Sequence, residues 1–257
     1  MLSLSTHYQK RVFPVRDKGF SLIEMAVVMV IVGLMLSGLF VALGDSASTR
    51  NRISTTADLE GIKEALYGFA QSTGRLPCPA IVASAGVEAP NGGGVCTRAH
   101  GFVPAVTLGL QGAVDANGLL LDSWGNPYRY SVSVLQSGGN RSFTTTAGLK
   151  SQFAVGALTA TTELICISGA VACGAPIYAN TVPALVYSMG KDWAIYTSTL
   201  QLENASTPQV SGFNMATDNN FVNGTYNEEG TNAFDDILVW LSPNVLYSRL
   251  ITAGKLP

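Results

Sequence analysis

Charge is scarce in this sequence. Of 257 residues, 15 are Lys or Arg and 17 are Asp or Glu, for a net charge of −2. No basic surface is available to hold a polyanion against competing salt, so nucleic acid is not an expected partner. Histidine is scarcer still, with only His7 and His100. Neither stands at ligand-like spacing from the four cysteines, and no CxxC occurs, which makes zinc the weaker reading of those cysteines. GxSxG, HExxH and a phosphate-binding loop are all missing, and His100 has no evident carboxylate partner, so no enzyme is expected. There is also no internal repeat and no linker that would split off a second globular domain.

What the sequence does have is one long apolar run. Phe20 to Leu43 is 24 residues with a single charge, Glu24, and no proline. At 1.5 Å per residue it covers about 36 Å, enough to cross the hydrocarbon layer of a membrane. Lys10, Arg11, Arg16 and Lys18 precede it, against Arg50 and Arg52 after it. The positive-inside rule therefore keeps the N-terminus in the cytoplasm and exports the rest. A secretory signal peptide would have a shorter apolar stretch followed by its cleavage site, whereas here the candidate site comes first. The anchor is expected to stay on the mature protein. Glu24 is costly in this setting: a carboxylate in an apolar span costs about 3 kcal/mol on insertion scales unless it finds a partner or the interface.

The cysteines suit an exported chain. Cys78 with Cys96 and Cys166 with Cys173 form two close pairs, and an even count outside the cytoplasm suggests disulfides. Of the three connectivities open to four cysteines, the two local bridges close the shortest loops and are favoured on entropy. Free buried thiols are the alternative.

The run Lys18-Gly19-Phe20-Ser21-Leu22-Ile23-Glu24 closely resembles the processing site of type IV prepilins and pseudopilins. The resemblance implies that prepilin peptidase cuts after Gly19 and methylates the new amine of Phe20. It also implies that Glu24 pairs with the Phe20 amine of a neighbouring subunit during assembly. Glycine suits the cleavage position because it lets the backbone enter a tight protease cleft. The expected organisation is a cytoplasmic leader at 1–19, the membrane half of a helix at 20–44 and an exported head at 45–257. Its partners would be the peptidase, other pilins or pseudopilins, the inner-membrane assembly platform and lipid.

From Asp45 to about Ser72 the sequence is free of proline, and Ile53, Ala57, Ile62, Ala65, Leu66, Phe69 and Ala70 recur near helical spacing. The helix is expected to continue outward and stop between Ser72 and Gly74, before Pro77 and Pro79. Short strands are expected at 119–121, 128–135, 142–146, 164–168, 184–189, 193–198 and 237–241, and a closing helix at 244–253. The fold class is α+β: a long N-terminal helix, its first half membrane-spanning, packed on a mainly antiparallel sheet, as in type IV pilins.

Asp122-Ser123-Trp124-Gly125-Asn126-Pro127-Tyr128 resembles the strand entry of the major pseudopilins of type II secretion. Those proteins carry a downstream calcium loop, and parts of 188–192 and 229–237 are similar to it. The resemblance implies a calcium site with Asp192, Glu228, Asp235 and Asp236 as oxygen ligands. A solvated acidic turn is the competing reading. The functional expectation is a structural subunit of a type II secretion pseudopilus or type IV pilus. Its exported part is long for a major subunit, which favours a minor one. The alternative is a tip adhesin whose insertion between Asp192 and Glu229 recognises a surface ligand or DNA through Phe213, Phe221 and Tyr226.

Overall fold

The computed structural model describes residues 19, 21–133, 142–155, 163–167, 177–192, 199–205, 219–227, 230 and 233–256, with the side chains of 37–46, 154–155 and 202–203 outside that set. The chain divides into two units, Met1–Ser48 and Thr49–Pro257. The elements in chain order are α1 (Leu22–Thr73), β1 (His100–Phe102), α2 (Ala105–Leu108), β2 (Arg129–Val132), α3 (Thr146–Val155), β3 (Glu163–Cys166), β4 (Ile177–Val182), β5 (Ala184–Ser188), α4 (Thr199–Asn204), β6 (Asn220–Val222), β7 (Ile237–Trp240) and α5 (Pro243–Thr252).

In the first unit every described side chain from Ser21 to Leu36 is exposed, with Leu22 at 93%. Among the described residues no helix is long and apolar enough to cross a membrane.

In the second unit the last turns of α1 bury Leu59, Ile62, Leu66, Tyr67 and Ala70 against Tyr128, Tyr130, Val132, Val186, Val239 and Leu241. This buried stripe corrects the sequence reading at its outer end: Ile53 is 66% exposed and Ala57 is exposed, whereas Leu59 and Tyr67 face the core. Helical spacing alone fits either stripe, and the choice falls to whichever face has a sheet opposite it. Gly74 ends the helix in the left-handed region at φ 79°, its N–H reaching Ala70 O at 2.7 Å.

The sheet under the helix has four antiparallel strands in the order β1-β2-β5-β7. A second sheet, β4-β3-β6, covers its far face. There β3 pairs antiparallel with β4 and parallel with β6. Strand β5 lies between two cores, and its residues alternate: Ala184 and Val186 join the helix side, and Leu185 and Tyr187 join the second sheet. A strand covered on both faces must be apolar throughout, which Ala184-Leu185-Val186-Tyr187 satisfies. The result is an α+β head with the helix packed on a mainly antiparallel sheet.

Two strand expectations are corrected. Residues 142–146 form a turn leading into α3: Ser142 and Thr144 share a hydroxyl hydrogen bond at 2.5 Å, and Gly148 N–H donates to Thr145 Oγ1 at 3.0 Å. Hydroxyl capping there outcompetes the β-propensity of Phe143-Thr144-Thr145. Residues 119–121 make only isolated bridges, Val114 with Leu120 and Leu121 with Pro127. Residues 193–198 lie outside the described residues. Strands β1, β4 and β6 and helices α2, α3 and α4 were not expected from sequence, and β1, α2 and β6 have four residues or fewer, too short for a pattern.

Candidate functional site

The N-terminal motif comes first along the chain. Gly19 is exposed, and a Cβ built there would meet nothing within 4 Å. Phe20 lies outside the described residues. Ser21 and Glu24 cap the start of α1 reciprocally: Glu24 N–H donates to Ser21 Oγ at 3.2 Å, and Ser21 N–H donates to Glu24 Oε2 at 3.2 Å. This is a capping box, and S-x-x-E is its sequence signature, which was readable in the chain. Glu24 thus serves the first turn of its own helix, satisfying a backbone donor that has no helical partner.

The acidic loops meet on the second unit. Asp122, at the turn before β2, accepts the N–H groups of Trp124 at 2.9 Å and Asn126 at 2.8 Å, and the Ser188 hydroxyl donates to it at 2.5 Å. Asn126 Nδ2 donates to Gly190 O at 2.6 Å. The turn at 122–128 and the loop at 188–192, two separate sequence motifs, are therefore tied together by buried hydrogen bonds. Burial pushes the Asp122 carboxyl above the usual range, opposed by the Ser188 and backbone donors.

Beyond Gly190, Lys191 N–H donates to Asp235 Oδ2 at 2.6 Å. Gln201 Nε2 donates to Asp192 Oδ1 at 2.9 Å and to Asp235 Oδ1 at 2.7 Å. Asn204 Nδ2 donates to Asp236 Oδ2 at 2.7 Å. Burial, then the hydrogen bond and negative charge of Asp235, push Asp192 up to about 7. Burial raises Asp236 well above the carboxylate range.

Three of the four residues expected to hold calcium, Asp192, Asp235 and Asp236, are thus near one another, and Glu228 lies outside the described residues. Among the described residues, most oxygens of this set are already engaged. Both Asp235 oxygens and one oxygen of Asp192 already accept N–H groups, and an amide nitrogen stands between the two carboxylates. Among the described residues no group of three or more His, Cys, Asp or Glu side chains is placed to hold a metal. Gln201 and Asn204 went unnoticed in the sequence, because a single Gln or Asn in a polar stretch carries no periodic or motif signal.

Cys78 and Cys96 are joined by a disulfide. Cys166 is also disulfide-bonded, and Cys173 lies outside the described residues. The loop at 78–96 has a second tie: Arg75 forms a bidentate ion pair with Glu88 at 2.7 and 2.8 Å, and Cys78 N–H donates to Glu88 Oε2 at 3.0 Å. Of the three aromatics considered for ligand contact, Phe221 is fully buried and Tyr226 packs under Arg52 at 4.1 Å. Phe213 lies outside the described residues. His100 hydrogen-bonds Ser131 through Nδ1 at 3.0 Å, a contact between β1 and β2.

No curated protein and no solved structure matches the chain. Residues 15–40 match the family model described as the prokaryotic N-terminal methylation motif. That motif is the hallmark of type IV pilin and pseudopilin prepilin-type processing, and a helix packed on an antiparallel sheet fits it.

Proposed function

We propose that the chain is a minor structural subunit of a type II secretion pseudopilus or a type IV pilus. Prepilin peptidase removes residues 1–19 and methylates Phe20, and the subunit joins its neighbours through the N-terminal helix. The observation that carries this reading is the methylation motif at 15–40. It is supported by the exposed apolar surface from Leu22 to Leu36, which a single isolated subunit in water would not keep uncovered. Before assembly, lipid covers that surface at the inner membrane, with the head in the periplasm; in the filament, other subunits do. Glu24 then exchanges its capping contact with Ser21 for the amine of a neighbour's Phe20, a charge-assisted contact strengthened by low dielectric. The adhesin reading has less support, since Phe221 and Tyr226 are already used within the head.

The test is to express Glu24→Ala and Gly19→Val with the cognate assembly system and compare precursor, membrane-bound and filament-associated protein. Glu24→Ala is expected to be inserted and cut normally but to enter filaments poorly. Gly19→Val is expected to accumulate as uncut precursor. Glu24→Ala entering filaments as well as the parent does would show that the carboxylate has no docking role.

A further inference from the structure

Helix α4 (Thr199–Asn204) is short, yet it meets the loops that carry Asp192, Asp235 and Asp236. Gln201 is 1% exposed and Asn204 fully buried. Three residues apart, they lie on one face of the helix. A primary amide has two donor hydrogens. Gln201 gives both to carboxylates, at 2.9 Å to Asp192 and 2.7 Å to Asp235. Asn204 donates to Asp236 at 2.7 Å and to Val222 O at 2.9 Å, and accepts Val222 N–H at 2.7 Å. One amide thus joins two acidic loops, and the other ties the adjacent acid to β6.

We propose that Gln201 stands in the place of a cation: its side-chain amide, not calcium, bridges the 188–192 loop to Asp235 and holds the head closed, with Asn204 as the second point of the latch. A calcium ion takes six to eight oxygens at 2.3–2.6 Å. An –NH2 group at hydrogen-bond distance from both carboxylates occupies the point such an ion would need. The outer oxygen of Asp235 is turned to Lys191 N–H at 2.6 Å, and no side chain larger than Gly190 fits beside that carboxylate. Asp236 Oδ1 is buried with no hydrogen-bond partner among the described residues. The Arg129 charge acts on Asp236, so an added cation there would meet positive charge already in place. The residue that decides between metal and no metal is therefore Gln201. Replacing it by glutamate would turn the donor into a third carboxylate at the same point, and a cation could then relieve the repulsion.

The test uses the full-length chain in detergent at fixed neutral pH, melted in chelator and in millimolar calcium chloride. A native-state calcium site held at a hundredfold over its Kd would raise Tm by about 5–10 °C. The parent chain is expected to melt at the same temperature in both. Gln201→Glu is expected to melt several degrees lower in chelator and to recover most of that loss in calcium. Should Gln201→Glu not fold, Gln201→Met, of similar length but with no donor, is expected to melt lower than the parent in both buffers. A calcium-raised Tm in the parent would overturn the proposal. So would a Gln201→Glu chain that calcium does not rescue, or a Gln201→Met chain as stable as the parent.

Discussion

Gly190 shows how tightly the acidic loops are built. Its φ is +65°, and a Cβ there would run into the Asp235 carboxylate. Gly190→Ala combines a strained backbone with that collision and should destabilise the head by about 1–3 kcal/mol, read as a lowered midpoint in a denaturant titration. Asp192 makes a second prediction. Its carboxyl is held up at about 7 in the folded head, above the roughly 3.9 of an unfolded aspartate. The folded state therefore holds the proton more tightly, and the group's stabilising contribution is complete below pH about 4 and lost as pH rises towards 7. The parent should melt higher at mildly acidic than at mildly alkaline pH, and Asp192→Asn should flatten that part of the profile. A slope that Asp192→Asn leaves unchanged would assign the pH dependence to other groups.

Individual elements differ in what holds them. Helix α5 docks on α1 through Leu246 and Leu250, both fully buried, and through Arg249, which pairs with Glu64 at 2.7 Å and covers Tyr67 at 4.5 Å. The ion pair is largely solvated, so Arg249→Ala should cost at most about 1 kcal/mol. Leu250→Ala leaves a cavity and should cost about 2–5 kcal/mol. Chemical denaturation of the two variants would rank them, and an equal cost would mean that the pair contributes more than its exposure suggests. The 78–96 loop is different, because its Gly-rich stretch has little apolar surface of its own. The Cys78–Cys96 bridge spans 18 residues and should contribute about 3 kcal/mol in the chain-entropy model. Replacing both cysteines with alanine should lower Tm by several degrees, and an unchanged Tm would place the loop's stability in the Arg75–Glu88 pair.

The same elements show what a sequence can carry. The end of α1 was legible because Gly74 and two prolines follow each other within six positions, and α5 was legible because Ser242-Pro243 is a strong start signal. Strands β5 and β7 were legible as apolar runs, and β2 as a strand following the turn at Gly125-Asn126-Pro127. The turn at 142–146 was not, since Thr serves strands and helix caps alike and only the hydrogen bonds distinguish them. Strands β1 and β6 span three residues each, too short for any period to appear. At the N-terminus the motif was legible residue by residue, because its chemistry is local: a cut position, a new amine and a carboxylate a few residues on. The calcium loop was legible only as a set of oxygen donors. Gln201, which hydrogen-bonds Asp192 and Asp235, reaches them through the tertiary fold and leaves no trace in the spacing of the acids.

For the whole molecule, a head rich in Gly follows an apolar helix that begins within the methylation motif, and on the function proposed above that helix starts at a processing site. This arrangement suits a subunit that must sit in a membrane and later leave it for a filament. Its first step is covalent and can be read directly. Co-expression of the full chain with a prepilin peptidase, followed by mass spectrometry of the membrane-extracted protein, would identify the N-terminal peptide. A peptide beginning at Phe20 and carrying one methyl group on its amine is expected; a chain that keeps residues 1–19, or is cut elsewhere than after Gly19, would contradict the prepilin reading.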